Sequence, residues 1–467
     1  MNAAISAVSA TIPASEPSRP VAESDRLTTM DIARGFALLG IFMVNIQTFA
    51  EPFGRFMAPT PEPGGMLTQL CFYFERIFCE GKFYPLFSML FGMGMMLQMA
   101  SVESRGGRFT PLYLRRLFVL MAIGFLHATL LWYGDILFTY SICGLILFLC
   151  RRASGRTLLI AGIIMVGAST LLGGAFGAMG ALGNHRPAPV ASVAESSEPV
   201  GSDDAVAPAQ TTESSKEVEL NEFDRLAQTS PFVRWLQAYQ RGEIKGGPDD
   251  PLYMDLEARA YREGGFWDAM GFRVSTWLFF LVFLFFGMGW HIAGMFFIGA
   301  AFIKFGLLGS GGAAWRARLL VIGLLVGLPG SVIAAFVPHA GLGFLGAAVM
   351  VMLGFACGPL MSILYLMLAA RLAESGRALA LASTLASTGR MALTNYLMQT
   401  IVSTAVFYWW GFAQFGLWTR PERCAFVLAV FAAQCVFSVL WMRRFRFGPM
   451  EWLWRSLTYL KREPMLR

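Results

Sequence analysis

The sequence predicts an all-α, polytopic membrane helical bundle of about ten transmembrane helices, carrying an outward-facing acidic insertion with short amphipathic helices. Three observations predict it. Of the 467 residues, 56% are hydrophobic and only 14% are charged, whereas soluble domains carry roughly a quarter charged residues. Apolar runs longer than about 18 residues, enough to cross a bilayer, recur along the chain. Mean hydropathy is +0.55, and 41 Phe, 26 Met and 12 Trp exceed what one water-soluble core absorbs. A soluble enzyme, a disordered protein and a fibrous protein are excluded.

Residues 1–25 are rich in Ala, Ser and Pro without an apolar core, which predicts a flexible tail. The first apolar run starts only after Asp31 and Arg34, so this segment is not a signal peptide. Membrane helices 1–5 fall within 26–182, near 32–50, 83–100, 112–132, 136–150 and 157–181. Helices 6–10 fall within 274–442, near 276–302, 318–337, 342–370, 391–411 and 424–442. A basic tail, 443–467, follows.

Loop charge orients the spans. The net charge is +7, but residues 183–273 hold 16 acids against 9 bases, and the rest of the chain carries net +14. Those bases sit in short loops on one side, which is the positive-inside pattern of an inner-membrane protein with both termini cytoplasmic. The same placement argues against nucleic-acid binding. The insertion 183–273 then faces outward: 185–220 reads as a disordered linker, and 221–273 as two or three amphipathic helices. Asp250 and Pro251 suit an N-cap followed by the first helical residue. About 50 residues bury too little for an independent catalytic domain. Leu67 to Phe78, and Trp452, Trp454 and Arg455, suit the membrane interface.

The seven cysteines (71, 79, 143, 150, 357, 424 and 435) stand singly and read as small buried hydrophobes, with no metal-ligand spacing. No metal or resident cofactor is expected. The segment Phe87 to Gly94 reads as a close helix-packing surface, since small residues let backbones approach.

Strongly polar side chains at membrane depth cost at least ~2–3 kcal/mol, so each needs a partner or a purpose. Asp31 and Arg34, three apart at the start of the first span, can pair on one helix face. Asn45 lies in the outer half and serves as interhelical glue or substrate contact. His127 is a candidate base near neutral pH. Asp135 follows eight residues later, ~12 Å away on a continuous helix, so only a break at Gly134 could fold it back toward the imidazole. Thr394, Asn395 and Gln399 enter the ninth span, and Gln434 and Ser438 form a stripe on the tenth; helix association, substrate lining or both remain open. Arg115 and Arg116 are basic anchors at the third span that could also attract an anionic donor. His291 and His339 read as packing residues.

Five separated phrases then combine: Asp31-Ile-Ala-Arg34-Gly35, Gly81-Lys82-Phe with Phe91-Gly92-Met-Gly94, His127 with Gly134-Asp135 and Tyr140, Gly389-Arg390-Met with Thr394-Asn395-Tyr396 and Gln399, and Gly448-Pro449 with Glu451-Trp452 and Trp454-Arg455. From about Arg26 to Tyr459 the chain resembles the bacterial YeiB-like proteins, the family called domain of unknown function 418. That family has no settled activity. The Asp31…Arg34-Gly35 phrase is also similar to one in membrane acyltransferases, including the acyltransferase-three group and the heparan-glucosaminide N-acetyltransferase relatives. That similarity implies acyl transfer from cytoplasmic acyl-CoA to an outer-face acceptor such as an envelope glycan or lipid, with His127 as base. A transporter lined by Asn45, His127, Asp135, Asn395 and Gln399 is the alternative, and no internal repeat supports it.

Overall fold

The computed structural model describes residues 28–56, 62–183, 222–244, 250–375 and 378–467. The expected tail at 1–25 and linker at 185–220 lie outside the described residues. Every named element is helical.

The described chain opens with α1 (Thr28–Ala50) and the single turn α2 (Phe53–Phe56). Next, α3 (Met66–Phe74) passes through a π-helical turn, Glu75–Cys79, to α4 (Phe83–Glu103). A second π-helical turn, His127–Leu131, ends α5 (Phe109–Leu126); the chain then reverses into α6 (Leu137–Leu149) and α7 (Gly155–Gly183). Three short helices, α8 (Glu222–Thr229), α9 (Pro231–Gln240) and α10 (Pro251–Arg262), precede α11 (Gly265–Phe283) and α12 (Gly289–Lys304). The interrupted pair α13 (Ala313–Ile322) and α14 (Leu328–Phe336) leads to α15 (Gly343–Glu374). Finally come α16 (Leu379–Arg390), α17 (Ala392–Phe407), α18 (Arg420–Arg444) and α19 (Pro449–Tyr459).

Eight helical runs among the described residues are long and apolar enough to cross a membrane. They cover eight of the ten expected spans. The other two, α6 with 13 residues and α17 with 16, are shorter, ~20 Å and ~24 Å at 1.5 Å per residue. The chain geometry explains both: α6 starts only after the reversal at Trp132–Ile136, and a backbone break at Met391 separates α17 from α16. The run containing α11 begins earlier than the hydropathy suggests, at Gly265.

Local sequence sets the ends. Asp250 caps α10 by accepting the Leu252 amide at 3.0 Å, with Pro251 following. Thr419 and Glu422 form a capping box at α18. The seam between α1 and α16 depends on two glycines. A Cβ on Gly35 would lie 2.0 Å from the Leu385 carbonyl oxygen, and one on Gly389 would lie 1.9 Å from that of Asp31. The backbones therefore meet directly, which brings Asp31, Arg34 and Arg390 to one end of the bundle.

Candidate functional site

At the far end of α5 the helix widens into the π-turn, Trp132 adopts an extended conformation, and the chain turns back. That reversal is what a continuous helix would forbid. It brings Asp135 Oδ2 to 2.8 Å from His127 Nδ1, with both side chains essentially inaccessible to solvent. Asp135 Oδ1 also accepts the Phe138 amide at 2.8 Å, so the carboxylate closes the first turn of α6. His127 Nε2 lies 2.9 Å from Thr400 Oγ1 on α17. A carboxylate on Nδ1 favours the tautomer that carries its proton there. Nε2 then accepts from the Thr400 hydroxyl. The result is a continuous chain: Thr400, His127, Asp135.

A cavity of about 250 Å³ runs beside this chain. Arg34, Arg116, Arg390 and Arg455 line it together with Asp31 and Glu451, four guanidinium groups against two carboxylates. Its deeper wall is apolar, with Ile41, Phe87, Leu90 and Leu120. Ile136 and Tyr396 also line it; Ile136 follows Asp135 directly, and the Tyr396 ring lies 5.2 Å from that of His127. From Arg116 to His127 the helix rises ~16 Å. The arginines thus lie at one end of the cavity, and the His–Asp pair sits behind the Ile136 and Tyr396 wall at the other.

The mouth is fastened by α19. Trp454 donates its indole N–H to the Arg116 carbonyl at 3.0 Å, while the Arg116 guanidinium stacks 3.9 Å above the Trp454 ring. Glu451 accepts the amides of Leu393 and Thr394 at 2.6 and 3.0 Å and the Thr394 hydroxyl at 2.6 Å, capping α17. Burial raises the Glu451 pKa, although these bonds oppose it.

The expected site residues divide. Arg34 and Arg116 line the cavity, and His127 and Asp135 adjoin its inner end. Arg115 is not among the lining residues. Asn395 donates to the Thr388 carbonyl and to Ser438 Oγ at 3.1 and 3.0 Å, and Gln399 donates to Gln434 Oε1 at 3.0 Å. These groups join α16, α17 and α18 away from the cavity. Asn45 is half-buried, and its backbone carbonyl accepts from Thr48 Oγ1. Thr394 holds Glu451. Both nitrogens of His291 are engaged, with Tyr84 and the Phe355 carbonyl, and His339 meets the Tyr73 hydroxyl.

Sequence reasoning missed a second charged cluster. Arg423, fully buried, pairs with Glu51 and Glu62, and Arg420 pairs with Glu62 and Glu75. Gln47 donates to Glu75 at 3.0 Å, as does the Cys424 thiol at 3.2 Å. Burial would raise the Glu62 carboxyl, but Arg423 and Arg420 outweigh it and hold the group below its ordinary value. The available signal was Thr419-Arg420-Pro421-Glu422-Arg423, two bases at the start of a span with acids across the loop.

Fold and site together define the class: a polytopic α-helical membrane protein whose bundle holds a cation-lined cavity and, behind its wall at Ile136 and Tyr396, a buried histidine–aspartate pair. The YeiB protein of Escherichia coli is 30% identical over 450 residues, covering 93% of this chain and 96% of its own. The YxaH protein of Bacillus subtilis is 28% identical over 470 residues, covering 96% and 98%. Both are described as uncharacterized. The profile of the family described as "Protein of unknown function (DUF418)" matches residues 302–461. The chain belongs to this YeiB-like DUF418 family. No solved structure matches it.

Proposed function

We propose that the protein is an acyltransferase of the bacterial inner membrane. It takes an acyl group from a cytoplasmic, phosphate-bearing thioester such as acyl-CoA and delivers it to a hydroxyl of an envelope glycan or lipid at the outer face. The observation that carries this reading is a cavity lined by four arginines whose wall at Ile136 and Tyr396 adjoins the buried His127–Asp135 pair. Guanidinium groups match phosphate oxygens in charge and geometry. The apolar wall suits an acyl chain. An imidazole oriented by a carboxylate is a competent general base. The loop charges support placing the arginine end, and both termini, in the cytoplasm.

Purified protein in nanodiscs should bind coenzyme A, with affinity falling as salt rises. Arg116→Gln should weaken binding about tenfold, the loss of one charge-assisted contact worth ~1.5 kcal/mol. His127→Ala should keep binding and lose turnover of acyl-CoA. A folded preparation that neither binds coenzyme A nor turns over acyl-CoA would refute the proposal, and counterflow of an unmodified solute in proteoliposomes would favour transport instead. A periplasm-dependent reporter inserted near Asp203 should be active and one after Arg467 silent; the reverse pattern would overturn the orientation.

A further inference from the structure

The His127–Asp135 pair leaves one ring nitrogen for chemistry. Nδ1 is committed to Asp135 at 2.8 Å, so only Nε2 can take a proton from an attacking hydroxyl. That nitrogen already has a hydroxyl: Thr400 Oγ1 at 2.9 Å. The three residues stand in the order and spacing of a nucleophile, its base and the carboxylate that orients the base. Thr400 is completely buried on α17, one turn beyond Tyr396, which lines the cavity. Its other polar neighbour, the Tyr396 carbonyl, is at 3.5 Å, so its short contact is the one to His127.

We propose that Thr400 is the nucleophile and first acyl acceptor, forming an acyl-threonine ester between donor and final acceptor. This inference rests on the acyltransferase reading. In the first half-reaction Thr400 Oγ1 adds to the thioester carbonyl while its proton passes to His127 Nε2. The carbon–sulfur bond breaks, the oxygen–acyl bond remains, and His127 returns the proton to the departing sulfur. In the second, His127 takes the proton of the acceptor hydroxyl, whose oxygen adds to the ester carbonyl. The bond to Thr400 breaks and His127 reprotonates Oγ1. No oxidant, reductant or metal enters the balance. Entry of the acyl carbon requires the floor formed by Tyr396 and Ile136 to move aside. A covalent intermediate suits the acyltransferase reading, in which donor and acceptor come from opposite faces and need not be present together.

The test uses the full chain in nanodiscs with carbon-14-labelled acetyl-CoA and palmitoyl-CoA and no added acceptor. Wild type should take up label that resists neutral hydroxylamine, as an oxygen ester does and a cysteine thioester does not, and that alkali removes. Peptide mass spectrometry should place the acyl mass on α17. Thr400→Ser should retain labelling, and Thr400→Val should lose label and turnover by at least about a hundredfold. If wild type consumes acyl-CoA without ester label on α17, or Thr400→Val turns over normally, Thr400 only positions His127 and the acyltransferase reading stands. If wild type consumes neither donor, both readings fall. Should Thr400→Val fail to fold, wild-type mass spectrometry and Thr400→Ser still decide.

Discussion

Gly124 is where one added methyl group should dismantle the site. A Cβ there would lie 2.4 Å from the Phe138 amide nitrogen and 2.7 Å from Asp135 Oδ1. Non-bonded heavy atoms settle near 3.5 Å, so α5 and α6 would have to part by about 1 Å. Asp135 holds Phe138 and His127 at 2.8 Å each. Asp135 and Phe138 share the first turn of α6 and move together, so a further 1 Å takes only the bond to His127 beyond hydrogen-bonding distance. Overpacking costs about 1–3 kcal/mol, and a lost bond to a charged group about 1.5–3 kcal/mol. With partial relaxation we expect Gly124→Ala to destabilise the protein by about 3–5 kcal/mol and to abolish His127-dependent turnover. Gly94→Ala is the control, since its Cβ would meet only Arg34 Nη2 at 3.5 Å and the change removes the backbone-entropy cost of a helical glycine, roughly 0.5–1 kcal/mol. Thermal unfolding in detergent and acyl-CoA turnover read both variants. A Gly124→Ala protein melting within about 1 kcal/mol of Gly94→Ala, with turnover intact, would refute the reasoning.

Three further outcomes follow. Arg423→Met leaves Glu51 and Glu62 without their shared buried partner and should cost about 3–5 kcal/mol, read by thermal unfolding; a cost below 1 kcal/mol would show the cluster to be well hydrated. Asn395→Ala should cost about 1 kcal/mol without altering coenzyme A affinity, because Asn395 lies outside the cavity; a tenfold affinity loss would place it in the binding path. Glu257, fully buried on α10 with one oxygen accepting the Phe53 amide at 3.1 Å, has its pKa raised by burial to about 8, against the opposing effect of that bond. The folded state therefore holds a proton that the unfolded state releases above its ordinary value near 4.5, so stability falls as pH rises from about 5 to about 8. Glu257→Gln should flatten melting temperature over that window, and an unchanged slope would assign the pH dependence elsewhere.

What the sequence revealed and what it concealed have different physical origins. The long apolar runs carry their own evidence, because a helix in lipid needs its backbone bonds satisfied within the segment. The stripe of Asn395 and Gln399 was likewise visible through four-residue spacing. Asp135 was harder: its distance from His127 depends on three residues of irregular backbone, and helical arithmetic gives the wrong answer there. The cavity was harder still, for its arginines come from α1, α5, α16 and α19, with no spacing relation among them. Glu51, Glu62 and Glu75 read as loop charge because their partners, Arg420 and Arg423, lie some 350 residues onward.

The clasp formed by α19 also bears on how fast the cavity can fill. Release of the Arg116–Trp454 stack costs about 1–2 kcal/mol, and each 1.4 kcal/mol is a factor of ten in population. Roughly one molecule in six to thirty then has this stack undone at any instant. On the acyltransferase reading, undoing this stack is then a minor barrier, and the larger one is movement of Tyr396, whose ring is packed against His127 inside the bundle.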